Sequence, residues 1–198
     1  DDLEAAVETY RRIVEAYPAD IASLRRLASL ELSLGRHEAA AGRLEAVLAQ
    51  SPDQPELALV LGQIRRSMGD EAAALAAFGR IARGDPGYLE ARTQIASIHQ
   101  EAGRLQEAIA EIERLRETQP SRRLDYQAAA LLAASGDADG AIALLEGLLD
   151  GSDDDADVHY QIGIQYGLQD RMDEAIEAMQ RVLEIDPDRA DALNYIGY

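Results

Sequence analysis

The sequence predicts an all-α solenoid of antiparallel helix pairs. Three observations predict it. Apolar residues recur at three- and four-residue spacing on both sides of a series of glycines, with no strand-like alternation. Pro18, Pro52, Pro86 and Pro120 keep a 34-residue beat, which Asp153 and Pro187 continue. Alanine fills 36 of the 198 positions. It is a strong helix former, small enough to let helices approach closely.

Each element follows from that beat. Residues 1–16 match only the second helix of a pair. Five full pairs then span 21–187, closing near Asp53, Pro86, Pro120, Asp153 and Pro187. The turn inside each of the first four pairs falls at Gly35, Gly69, Gly103 and Gly136, where a left-handed backbone is cheap for glycine. The proline is expected to end the second helix, because it cannot continue one. Second helices share an alanine: Ala6, Ala40, Ala74, Ala108, Ala141 and Ala175. Four residues later comes a large apolar side chain: Tyr10, Leu44, Phe78, Ile112, Leu145 and Met179. Residues 188–198 match only the opening of a further first helix. Period, not composition, is what identifies a repeat architecture.

The pattern resembles the tetratricopeptide repeat (TPR) family over essentially the whole chain. Gly103-Arg-Leu-Gln-Glu-Ala-Ile-Ala-Glu-Ile ending at Pro120 is similar to the family's second helix. So is Met172-Asp-Glu-Ala-Ile-Glu-Ala-Met ending in Ile185-Asp-Pro187. The family's Leu-Gly pair has counterparts in Leu61-Gly62 and Ile162-Gly163, and its following tyrosine in Tyr166. Glu31, Arg65, His99 and Leu132 replace that tyrosine elsewhere, and Arg92 and Asp125 replace a bulky aromatic. These departures are expected to weaken individual contacts but not the register. The resemblance implies a right-handed solenoid. Its first helices would line a concave face that takes an extended or helical segment of a partner protein. An array that opens and closes inside repeats is expected to be a piece of a longer protein. Leu193 and Ile196 would be half covered, giving adhesive ends and a possible homo-oligomer.

Composition narrows the chemistry. Formal charge is −18, there is no cysteine, and all 19 basic residues are arginine. Disulfides, thiolate metal sites and a cysteine nucleophile are excluded. Nucleic acid is not an expected partner of so acidic a surface. No apolar run approaches the about 18 residues of a membrane span, so no membrane insertion is expected. Cytoplasm and periplasm both remain open. The pairs Arg11-Arg12, Arg25-Arg26, Arg65-Arg66 and Arg122-Arg123 read as solvated or salt-bridged faces. No phosphate loop, nucleophile elbow or paired-histidine metal motif occurs, so no catalytic residue, metal or cofactor is expected. His99 and His159 fall at core-type positions, and His37 is expected to be exposed after its turn. The run Asp153-Asp154-Asp155-Ala156-Asp157 lacks the glycine and distal glutamate of a calcium loop, and reads as a helix-capping junction.

Register places the candidate binding residues. One inward row reads Arg26, Val60, Gln94, Gln127, Gln161 and Tyr195. The adjacent row reads Arg25, Leu59, Thr93, Tyr126, Tyr160 and Asn194. Gln94, Gln127 and Gln161 could pair with a partner's backbone whatever its sequence, since an amide both donates and accepts. Tyr126, Tyr160 and Tyr195, beside Asn194, could anchor apolar groups while keeping polar tips. Arg25, Arg26 and Arg66 would receive an acidic end, and the later repeats a basic one, so the partner would be steered in one direction. The family's carboxylate-clamp positions hold Arg25 and Ser29, Val60, Glu90 and Gln94 here. Only the first cation fits, so no clamp is expected. The rival readings are a self-assembly module, or the adaptor arm of a larger enzyme or cell-envelope complex.

Overall fold

A computed structural model describes residues 2–197. Tyr198, the last residue of the expected partial helix, lies outside them. The described residues form helices joined by short turns, with no strand among them. In order they are α1 (Asp2–Ala16), α2 (Ile21–Ser33), α3 (His37–Gln50), α4 (Pro55–Ser67), α5 (Glu71–Gly79), α6 (Tyr88–Glu101), α7 (Leu105–Thr118), α8 (Arg122–Ala134), α9 (Ala138–Glu146), α10 (Asp155–Leu168), α11 (Met172–Ile185) and α12 (Ala190–Gly197). No described helix is long and apolar enough to cross a membrane.

The turns form where the glycines stand. Gly35, Gly69, Gly103 and Gly136 all have φ between 72° and 93°. The fifth turn has no glycine and forces Asp170 to φ 58°. Asp is one of the few residues that tolerate this region. The starts of α2, α5, α8 and α9 are capped by side-chain oxygens, which accept from otherwise unpaired N–H groups, whereas α3, α4, α7, α10 and α11 have no such bond. Asp20 accepts from Ser23 N at 3.3 Å, Asp70 from Ala73 N at 3.1 Å and Asp137 from Gly140 N at 2.9 Å.

The expectation that the proline closes the second helix fails at α5, which stops well before Pro86, and α9, with Asp153 in place of a proline, also stops early. Helices α3, α7 and α11 each run 14 residues, but α5 and α9 run only 9. Glycine is the physical reason. Gly79 and Gly147 stand where α3 and α7 carry Glu45, Ala46, Glu113 and Arg114, and glycine costs about 1 kcal/mol in a helix interior.

The chain divides into two compact units, up to Ile98 and from His99. In the first, Leu24, Leu27, Leu44, Leu57, Ile64 and Phe78 form one continuous core. In the second, Ile142, Leu145, Val158 and Ile162 form one cluster, and Met179, Val182 and Ala192 another. Small and large residues are matched. A Cβ on Gly62 would lie 2.5 Å from the Phe78 ring, and one on Gly163 would lie 2.8 Å from the Met179 methyl. The glycines of the Leu-Gly and Ile-Gly pairs therefore make room for the largest second-helix side chains. Where those side chains are Leu44, Ile112 and Leu145, the first-helix position is Ala28, Ala96 or Ala129.

Four of the positions where the family has an aromatic hold charged residues with partners of their own. Glu31 is fully buried and accepts from Arg43 at 2.9 Å. Arg65 donates to Glu45 at 2.6 Å and lies 3.4 Å from Glu38. Asp125 accepts from Arg116 at 2.7 Å, and the Arg92 guanidinium stands 5.4 Å from the centre of the Tyr88 ring. Ion pairs and a cation–π contact stand where aromatic packing was missing, so the contacts change in kind. His37 is half-buried rather than exposed, its Nδ1 3.5 Å from Ser67 Oγ, because the turn folds it back towards α4.

Candidate functional site

The inward rows fall on α2, α4 and α6 in the first unit and on α8, α10 and α12 in the second.

On the first face, α2, α4 and the start of α6 enclose an open cavity of about 330 Å³. Leu59, Val60, Pro86 and Gly87 supply its apolar wall, and Arg25, Glu56, Gln63 and Glu90 its polar rim. Gly87, at φ 80°, brings the backbone against Leu59: a Cβ there would lie 3.0 Å from the leucine methyl. The rim is tied together across neighbouring first helices. Arg25 Nη1 donates to Glu56 Oε2 at 2.6 Å, and Gln63 Nε2 to Glu90 Oε1 at 2.7 Å. Arg66 donates to Gln94 Oε1, and to Ser97 Oγ at 2.9 Å. Two of the three arginines predicted to form a basic end are thus held by internal acceptors. Arg26 is exposed and makes no ion pair among the described residues.

On the second face, Tyr126 is half-buried against the cluster around Ala129, Ile142 and Leu145. Tyr160 and Tyr195 are half-buried against the cluster of Met179, Val182 and Ala192. The Tyr195 hydroxyl rests on Gly167, where a Cβ would be only 2.1 Å away. Arg189 stacks 5.2 Å from the centre of the Tyr160 ring, and bonds to Asp191 at 2.9 Å and to Asp157. Those two carboxylates hold the Arg189 pKa above its ordinary value, Asp191 contributing most. The three glutamines differ in kind. Gln94 is engaged by Arg66. Gln127 Oε1 is buried without a partner among the described residues. Gln161 is exposed, as is Asn194.

The acidic junction does not cap α10 as expected: Asp154 at its N-cap makes no side-chain cap hydrogen bond, and the carboxylate that is engaged binds the loop before the helix. Asp155 opens α10 and is buried. Its carboxylate accepts from Asp150 N at 3.2 Å and Gly151 N at 2.7 Å. Among the described residues, no group of three or more His, Asp or Glu side chains is placed to hold a metal ion.

Sequence reasoning missed the ladder of Arg25–Glu56, Gln63–Glu90 and Arg66–Gln94. Its signal was available: the pairs join residues 31, 27 and 28 positions apart, one repeat less one or two helical turns. It emerges only when the rows are read against each other.

Alternating short helices, a left-handed turn residue within each pair and small residues at the close approaches define a helical-hairpin repeat protein. The tetratricopeptide repeat family matches over residues 25–89, 65–134 and 132–195. The chain belongs to that family. No curated protein matches it. Among solved structures it is similar to YrrB, a TPR protein with an unusual peptide-binding site, at 18% identity and TM-score 0.65, covering 97% of this chain and 100% of that one. It is similar to MamA at 20% identity and TM-score 0.63, covering 83% and 97%. It is also similar to the C-terminal part of a TPR protein from Cytophaga hutchinsonii at 15% identity and TM-score 0.75, covering 98% and 78%. At these identities the likeness establishes the fold alone.

Proposed function

We propose that the chain is a non-catalytic scaffold that binds a peptide segment of a partner protein on its first-helix faces. The observation that carries this is the cavity beside Leu59, Val60 and Pro86. An apolar slot with a fixed polar rim suits one apolar side chain and the backbone around it. The internal pairs hold the rim in place before binding, which lowers the ordering cost. Arg26 supplies the free positive charge of this face, while Arg25, Arg66 and Gln94 shape it. On the second face, Tyr126, Tyr160 and Tyr195 present amphipathic surface, and Gln127, Gln161 and Asn194 present amide groups.

The test selects peptides from a random display library on the intact chain. The best is then measured by calorimetry against Val60→Asp and against a Tyr160→Ala, Gln161→Ala double variant. Loss of one contact cluster should weaken binding by about 1–3 kcal/mol. No enriched sequence, or one whose affinity neither variant changes, would refute the reading. A second reading, self-association through α12, is favoured by Leu193, which is 48% exposed on that helix. Sedimentation that is unchanged by Leu193→Asp would remove it.

A further inference from the structure

A second cavity lies in the later unit, on the other side of α10. It encloses about 260 Å³ between the end of α9, α10 and α11. Residues advance about 100° each around a helix. His159, Ile162 and Tyr166 therefore lie about 160°, 100° and 140° around the helix from Gln161, turned away from the proposed peptide face. The cavity opens where α9 stops at Glu146, and Gly147 is the sequence feature that stops it.

Its floor is apolar: Leu149, Ile162 and Ala178. Its mouth carries Glu146, Glu174, Glu177 and Arg181. Two of these four charges are already used. Glu174 accepts from Arg171 at 2.9 Å, and Arg181 donates to Glu184 at 2.7 Å. Arg171 also covers the Tyr166 ring, 4.4 Å from its centre. Glu177 adds to the field on Arg181 but is not its bonded partner. Glu146 and Glu177 are exposed, and neither makes a hydrogen bond or ion pair among the described residues. His159 does not oppose a cation, since burial disfavours its charged form.

Two unpaired carboxylates on different helices, over an apolar floor, match one chemical shape. An arginine side chain has a methylene stem that packs on apolar surface, and a planar fork that can bridge two carboxylates. We propose that this crevice receives an arginine side chain from a partner protein, its stem on Leu149, Ile162 and Ala178 and its guanidinium between Glu146 and Glu177. The site is independent of the peptide face and would give the scaffold a second point of attachment. Two linked weak contacts can together exceed either alone by a large factor.

The test uses the intact ¹⁵N-labelled chain and a capped Gly-Arg-Gly peptide. The control replaces arginine by citrulline, which has nearly the same shape and no charge. The arginine peptide should give saturable shifts at the Leu149, Ile162 and Ala178 amides, with a dissociation constant on the order of millimolar. Citrulline should bind at least about tenfold more weakly, as should the arginine peptide to the Glu146→Gln, Glu177→Gln double variant. Both side chains are exposed, so circular dichroism should show that variant folded. Equal shifts from citrulline, unchanged affinity in the double variant, or shifts at Gln161 and Asn194 instead would each overturn the assignment. None of these results depends on whether the first-helix faces bind peptide.

Discussion

Replacing Gly62 by alanine tests whether the size match between paired helices is a packing rule. The new Cβ would sit 2.5, 2.6 and 2.8 Å from three atoms of the Phe78 ring. Carbon atoms rest at about 3.5–4.0 Å, so the ring must retreat by about 1 Å. Phe78 is fully buried, with no free space to enter. Overpacking of this kind costs about 1–3 kcal/mol, and a shortfall near 1 Å belongs at the upper end. Alanine's better helix propensity returns about 1 kcal/mol. The net expectation is a loss of about 2 kcal/mol. Phe78→Leu alone should also destabilise, by about 1–2 kcal/mol, through the cavity it leaves. Together the two changes rebuild on α4 and α5 the combination that Ala28 and Leu44 form one repeat earlier. The double variant should therefore be more stable than the sum of the singles predicts, by about 1.5 kcal/mol or more. Repeat arrays can unfold in parts, so urea denaturation by circular dichroism should be paired with hydrogen exchange at α4 and α5 amides. Additive effects within about 0.5 kcal/mol, or a stabilising Gly62→Ala, would refute the rule.

Three further outcomes are expected. Asp170→Gly should stabilise the second unit by about 0.5 kcal/mol in thermal or urea unfolding, since glycine adopts the φ of 58° without strain. Glu31→Ala should destabilise the first unit by about 2 kcal/mol. A buried pair loses one partner, but Arg43 and Arg11 can partly rehydrate, their side chains being 28% and 38% exposed. His159 should titrate below the ordinary histidine value in an NMR pH series, because burial disfavours its cation more than Asp155 favours it. The unfolded chain then binds the proton more readily than the folded one. The stabilisation is therefore present above the unfolded pKa and is lost as pH falls through the folded one. A His159 titration midpoint at or above about 6.5 would contradict this.

The fold was legible because its signals are local and repeated. Helix periodicity, glycine turns and the alanine-plus-four register each act within one or two helices. Copies of them leave little ambiguity. The site was legible only in position. Register put Arg25, Leu59 and Val60 on adjacent rows, and these three line the cavity of the first face. It could not say that Arg66 is turned onto Gln94, or that the Gln127 oxygen is buried. One second helix ended earlier than its proline indicated, at Gly79; another, whose repeat carries Asp153 in place of the proline, ended at Glu146, and the gap after it forms the crevice beside Glu177.

The sequence by itself determined the family and the helix order. These depend on spacing along one chain and on the chemistry of single residues. The tertiary structure decided which charges are free. Nineteen arginines stand among 37 acidic residues, and distances across neighbouring helices select which of them meet. Arg25, Arg65, Arg66 and Arg189 are taken up internally, whereas Arg26, Glu146 and Glu177 are left to act on something else. An ion pair depends on a few ångströms between side chains from different helices, and no linear spacing fixes that distance.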